Sequence, residues 1–189
     1  MRRELVRYGD DIDRWTPIPL DDIQPLLGGF ERWCLCGGLS IDLLLGRETR
    51  EHGDTDIGVF RSDLEDCLTA IGRARVFLCD PPGELTAWDG EAVPECVHDI
   101  WIASTDGNHW VLQIMVFDDD ETCVYYKRDR SIRWDKASHM QDVDGRRVLN
   151  PLITFLHKAH RDQHEPKDLA DLRRLVDECA VVRRTSAAD

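Results

Sequence analysis

The sequence predicts an α+β fold, a mixed or antiparallel β-sheet flanked by helices with a helical C-terminal segment. Three observations carry that expectation. The pair Gly37-Gly38 leads into the apolar run 39–45, the pattern of a largely buried helix stopped by Gly46. Short apolar runs separated by Asp, Gly and Pro turns follow, as in a sheet. Two segments near the end, each opened by a proline, carry helical periodicity.

In chain order, residues 19–27 read as a helix with Asp21 and Asp22 in its first turn, weakened or ended by Gly28-Gly29. A short apolar stretch, 33–36, precedes the glycine pair. Residues 55–60 read as a strand, and Ser62 as the N-cap of the helical turn behind it. Strands at 75–79, 85–88, 97–104, 110–117 and 123–127 come next, and helices at 151–163 and 166–178 close the series. No repeat or long linker interrupts it, so the expectation is a single domain over 1–189, with its core at about 20–127 and a helical part at about 148–182.

One hairpin can be put in register. Asp106-Gly107 between apolar runs predicts a two-residue turn closed by Thr105 and Asn108. Ile100 then lies opposite Gln113 and His98 opposite Met115. Trp110, Leu112, Ile114 and Val116 form a core face with Val97, Trp101 and Ala103, while Gln113, Met115 and His98 look the other way.

The chain carries 26 Asp and 11 Glu against 20 Arg and 4 Lys, a net charge of −13. Binders of phosphate backbones need a basic stripe to displace counter-ions, so no nucleic-acid partner is expected. The field suits a small cationic ligand, and a salty cytoplasm or a GC-rich genome would produce the same balance with no ligand at all. No apolar run approaches the roughly 18 residues of a membrane-spanning helix. Met1-Arg2-Arg3-Glu4-Leu5 lacks an apolar signal core, and a cytoplasmic location without a membrane partner is expected. Seven cysteines without a CxxC pair read as reduced thiols rather than a zinc or disulfide framework.

The chemistry is concentrated at Gly37-Gly38 and Asp54-Thr55-Asp56. Two carboxylates spaced by two at the head of a strand project from one face and can converge on one hard cation. A glycine pair at a helix N-terminus offers bare backbone N–H groups and the positive end of the helix dipole to a phosphate. The combination points to phosphoryl or nucleotidyl transfer. His157, His160 and His164 share a helical spacing that would serve either a transition metal or a solvated, substrate-facing stripe.

On these residues the chain resembles the polymerase-β-like nucleotidyltransferases and, within them, the small aminoglycoside and lincosamide nucleotidyltransferases. The match runs through Cys36, Gly37, Gly38, Ile41, Asp42, Gly46, Arg47, Arg50, His52, Asp54 and Asp56 into Phe60-Arg61-Ser62-Asp63. Segments 110–115, 127–133, 156–159 and 166–171 share the likeness, which spans roughly 30–178. The resemblance implies a nucleotidyltransferase fold and a metal-dependent, adenylyltransferase-like enzyme. Asp54 and Asp56 would be its catalytic carboxylates and Mg²⁺ ligands. Gly37, Gly38, Arg47, Arg50 and Lys158 would bind the nucleotide, with Arg128 a further candidate. A nucleoside monophosphate, AMP from ATP first among them, would pass to a hydroxyl of a small, cationic acceptor. An aminoglycoside-like antibiotic, and hence resistance, is the expectation the family adds.

The family commonly carries a third carboxylate on a later strand, and that position here holds Gln113, which cannot take a proton. Asp99 and Asp118 are candidate substitutes, but the register above places both on the opposite face. His98 lies on the same face as Gln113 and is a candidate catalytic base. Gln113 keeps two alternatives open: a non-catalytic nucleotide-binding module, and a nucleotidyltransferase that modifies a protein or RNA.

Overall fold

In the computed structural model, which describes residues 5–7, 14–81, 83–161 and 163–185, the chain builds a mixed sheet with helices packed on it. The strands are β1 (Leu5–Arg7), β2 (Cys34–Leu35), β3 (Asp56–Phe60), β4 (Val76–Leu78), β5 (Glu84–Ala87), β6 (Asp99–Ala103), β7 (Trp110–Asp119), β8 (Cys123–Tyr126), β9 (Asp129–Asp135), β10 (Met140–Val143) and β11 (Arg146–Leu149). The helices are α1 (Leu20–Leu26), α2 (Gly37–Leu45), α3 (Leu64–Ile71), α4 (Pro151–Ala159) and α5 (Pro166–Thr185). The sheet order is β1-β5-β4-β6-β7-β3-β2-β11-β10, with β8 on β7 and β9 on β8. The β3–β7 and β2–β11 pairs are parallel.

Period-two alternation sorts the central strands into two faces. On one, Ile57, Val59, Ile100, Ile102, Leu112, Ile114 and Val116 pack with Ile23 and Leu27 of the α1 region and Leu64 and Leu68 of α3. On the other, Cys34, Cys36, Phe60 and Phe117 pack with Leu149 and with Ile153 of α4. Helix α2 starts at the glycine pair and ends at Gly46 in the left-handed region, as expected. Asn150 caps α4 by accepting from Leu152 N at 2.9 Å, with Pro151 at the first helical position.

The β6–β7 register differs from the expected one by a single residue. Asp99 pairs with Met115 and Trp101 with Gln113, and a bulge between Ile102 and Ala103 sets Ala103 opposite Trp110. The connection is not a two-residue turn. It spans 104–109, where Asp106 accepts from Ser104 Oγ, Asn108 N and Asn108 Nδ2, and Ser104 N donates to His109 O at 2.8 Å. Burial decides the slip, because this register encloses Ile100 and Ile102, both 0% exposed. The expected register would have turned both outward, at about 1.5–3 kcal/mol for each side chain. Trp101, expected in the same core as Leu112 and Ile114, instead packs edge-on with Trp15 and Trp110 at ring distances of 4.9 and 5.5 Å.

Strands β1, β2 and β9 to β11 go beyond the sequence reading, which gives 33–36 only as a short apolar stretch. In β10–β11 Val143 pairs with Arg146 around Asp144 and Gly145, with φ of 51° and 78°, the signature of a type I′ turn. Helix α4 stops at Ala159 rather than near 163, and α5 runs on to Thr185.

Candidate active site

Strand β3 delivers Asp56, and the preceding Asp54, to a cavity of about 170 Å³ that Gly37 and Gly38 also line. Cys36 N donates to Asp56 O at 2.9 Å, which fixes the start of α2 against the head of β3. The contact tolerates no side chain. A Cβ at Gly37 (φ +65°) would overlap Asp56 Oδ2, and one at Gly38 would crowd His52 and Arg50. Removal from water and the neighbouring Asp54 push the Asp56 pKa up to about 7, with Lys158 pulling it down and Asp99 raising it further. Carboxylates that repel one another beside an N–H-rich helix start are a hard-oxygen donor set suited to Mg²⁺. Among the described residues no group of three or more His, Cys, Asp or Glu converges closely enough to hold a metal. An ion here would therefore draw the rest of its shell from phosphate oxygens and water, the usual habit of Mg²⁺.

Cations from several elements face this pair. Arg50, Lys127, Arg128, Lys158, Arg161 and Lys167 line the cavity. Two acids on α5 hold part of the ring in place. Lys158, buried on α4, approaches Asp171 at 3.0 Å and Asp168 at 3.5 Å, and Arg50 Nη2 meets Asp171 at 3.0 Å. Arg161 pairs with Asp168 and Arg174 with Asp171, both at 3.1 Å. Burial opposes ionisation of Asp171, but its hydrogen bonds from Arg50 and Lys158 and their charges hold it below the usual carboxylate range.

The structure thus brings Gly37, Gly38, Arg50, Asp54, Asp56 and Lys158 to one cavity, together with Arg128. Arg47 and His98 lie elsewhere. Arg47 lines a second cavity, beyond α2. His98 is held by Asp118 Oδ2 at 3.0 Å and Cys96 O at 3.1 Å, ahead of β6, and does not line this cavity. The one-residue slip of β6 explains this: it takes His98 off the face of Met115 and puts Asp99 there instead. Asp99 lines the cavity, accepting from Gln113 Nε2 at 3.2 Å and Lys127 Nζ at 2.8 Å. Gln113 itself pairs with Asp56 across β3–β7. Asp118 remains outside the cavity, bound by Arg61, His98 and Arg130.

The histidine that does reach the cavity is His157 on α4, with Thr154 beside it. His157 packs edge-on against Phe117 and Tyr126, His160 tilts over Tyr126, and His164 Nε2 meets Ala159 O at 3.2 Å, so the three do not converge on one point. The spacing marked them, but packing separated their uses.

The second cavity, about 670 Å³, shares Asp54 with the first. Its wall joins apolar groups, Ile18, Leu20, Leu39 and Leu43, to the acids Asp42, Glu48, Glu51 and Asp144. Asp42 also ties the loop after α2: its Oδ1 accepts from Thr49 Oγ1 at 2.5 Å and its Oδ2 meets His52 Nε2 at 2.7 Å.

A family model described as aminoglycoside-2''-adenylyltransferase matches residues 27–80, the segment from the end of α1 through β4 that contains Gly37-Gly38, Asp54 and Asp56. No curated protein matches the chain. Among solved structures, the chain is similar to the lincomycin-bound crystal structure of the lincosamide antibiotic adenylyltransferase LnuA, at 14% identity and a TM-score of 0.55, over 85% of this chain and 98% of that one. No helix among the described residues is long and apolar enough to cross a membrane. By its architecture the chain has the nucleotidyltransferase fold, and its likeness is to an aminoglycoside adenylyltransferase family model over 27–80 and to the fold of a lincosamide adenylyltransferase.

Proposed function

We propose that the protein, acting as one domain, transfers a nucleoside monophosphate, AMP from ATP first, to a hydroxyl of a small cationic acceptor. The observation that carries this reading is the convergence of Asp54 and Asp56 with the Gly37-Gly38 helix start inside a ring of cations. Asp54 and Asp56 would hold Mg²⁺, which when bound neutralises phosphate charge and polarises the phosphorus. The α2 N-terminus, Arg50 and Lys158 bind and orient the triphosphate. The acceptor oxygen bonds to the α-phosphorus, the bond to the bridging oxygen breaks, pyrophosphate departs with its electron pair, and the hydroxyl proton passes to solvent water. The acidic, half-apolar second cavity across Asp54 supports an amphipathic cation as the acceptor, and antibiotics of the aminoglycoside and lincosamide classes are the first to try.

Gln113 favours the reading of a non-catalytic nucleotide module, and Asp99 in the same cavity counts against it. Calorimetric titration of Mg²⁺-ATP into the wild type and into Asp54→Ala/Asp56→Ala, followed by a pyrophosphate-release screen over both antibiotic classes, separates the two. Binding that depends on the aspartates, with pyrophosphate released for some acceptor, is the expected result. Binding that ignores the aspartates would overturn the proposal.

A further inference from the structure

Within the cavity Asp99 stands apart from the other acids in origin and in surroundings. It comes from β6, two strands away from Asp56, and both of its oxygens are engaged: Oδ1 by the Gln113 amide at 3.2 Å, Oδ2 by the Lys127 ammonium at 2.8 Å. Its side chain is about one-third exposed (34%) and that of Lys127 24%, so neither charge is sealed in the protein. Gln113, whose backbone partner across β3–β7 is Asp56, is the physical link between the two acids. A neutral amide there cannot repel either carboxylate, and its N–H group fixes where the Asp99 charge sits.

We propose that Asp99 is a positioning residue for the metal site of the proposed transferase, supplying its third negative charge from β6, with Gln113 as its tether and Lys127 as its removable counter-ion. The inference rests on the reading of Asp54 and Asp56 as metal ligands. Lys127 neutralises Asp99 through its ion pair at 2.8 Å. A divalent cation, and then a triphosphate that attracts Lys127, would each release that charge to the metal side. The resemblance points to position 113 for such a charge, and the expected register turned Asp99 away; the observed register, with Asp99 opposite Met115, brings it to the cavity.

An ordinary structural ion pair makes a different forecast from a charge that serves a metal. Breaking a structural pair from either end has the same kind of effect. If instead Asp99 serves the metal and Lys127 opposes it, the two substitutions act with opposite sign. The probe is Mn²⁺ alone, with affinity read by electron paramagnetic resonance and folding checked by circular dichroism melting. Asp99→Asn should weaken Mn²⁺ by about tenfold, and Lys127→Met should tighten it by a few-fold, on the order expected for one unit charge near the ion in a half-exposed site. Asp99→Asn/Gln113→Asp, which moves the carboxylate one strand closer to Asp56, should recover most of the loss. Equal affinity in Asp99→Asn and wild type, or shifts of the same sign in Asp99→Asn and Lys127→Met, would overturn the inference. Asp54→Asn/Asp56→Asn is the control for the underlying reading: Mn²⁺ bound as tightly without that pair would overturn the proposed function, and this inference with it.

Discussion

His157 lies in the cavity wall, where burial first, and then the nearby charges of Lys127 and Arg128, push its pKa down to about 3. A histidine kept neutral in the folded state contributes stability that is fully present above its unfolded pKa near 6.5 and is lost as pH falls toward 3. The fold should therefore lose about 2 kcal/mol between pH 7 and pH 5 through this group. Urea denaturation at the two pH values, in the wild type and in His157→Gln, checks it, and the variant should show the smaller drop. His157 and His98 also show how residues became legible. Both were visible in the sequence by type, and His157 by its spacing to His160. Which one faces the cavity depends on how α4 lies across β7 and on where β6 begins, and neither is a property of local sequence.

At the scale of elements, two of the three Asp-Gly pairs are a controlled comparison. Asp144-Gly145 forms the two-residue hairpin, whereas Asp106-Gly107 sits inside a longer loop. The dipeptide permits the turn, and the flanking side chains choose the register. Around 106 the choice fell to Ile100 and Ile102, which a two-residue turn would have turned away from the core. Strand β9 escaped detection for the opposite reason, since its residues are almost all exposed and carry no apolar alternation to read. Helices α4 and α5 are joined to the loop before β3 by Asp171, which is 0% exposed and meets Arg50, Lys158 and Arg174. Asp171→Ala leaves Arg50, Lys158 and Arg174 without their shared acid, with Asp168, 3.5 Å from Lys158, remaining. It should cost about 3–5 kcal/mol in denaturant unfolding, with Asp171→Asn in between.

For the whole molecule, the net charge of −13 and the cation-lined cavity are opposing features. Negative charge spread over the surface repels itself in the compact state, and salt relieves this within a Debye length of about 10 Å at 0.1 M. Raising NaCl from about 20 to about 300 mM should lift the melting temperature by roughly 2–4 °C, equivalent to about 1 kcal/mol for a chain of this size. Scanning calorimetry reads the shift directly, and a fall in melting temperature would show that screened ion pairs outweigh the repulsion.

The sequence by itself determined the helix opened by Gly37-Gly38, the Asp54/Asp56 strand head, the apolar centre of β7 and the mixed α+β class. Each of these depends on spacing within a few residues: glycine conformation, period-two alternation, helical period. Only the tertiary structure decided that Asp99, rather than His98, enters the cavity, that Arg47 serves a different wall, and that Lys158 and Arg50 share one buried aspartate. Those outcomes turn on a one-residue strand register and on helix packing, where the burial of two isoleucines and the pairing of buried charges outweigh anything the local pattern prefers.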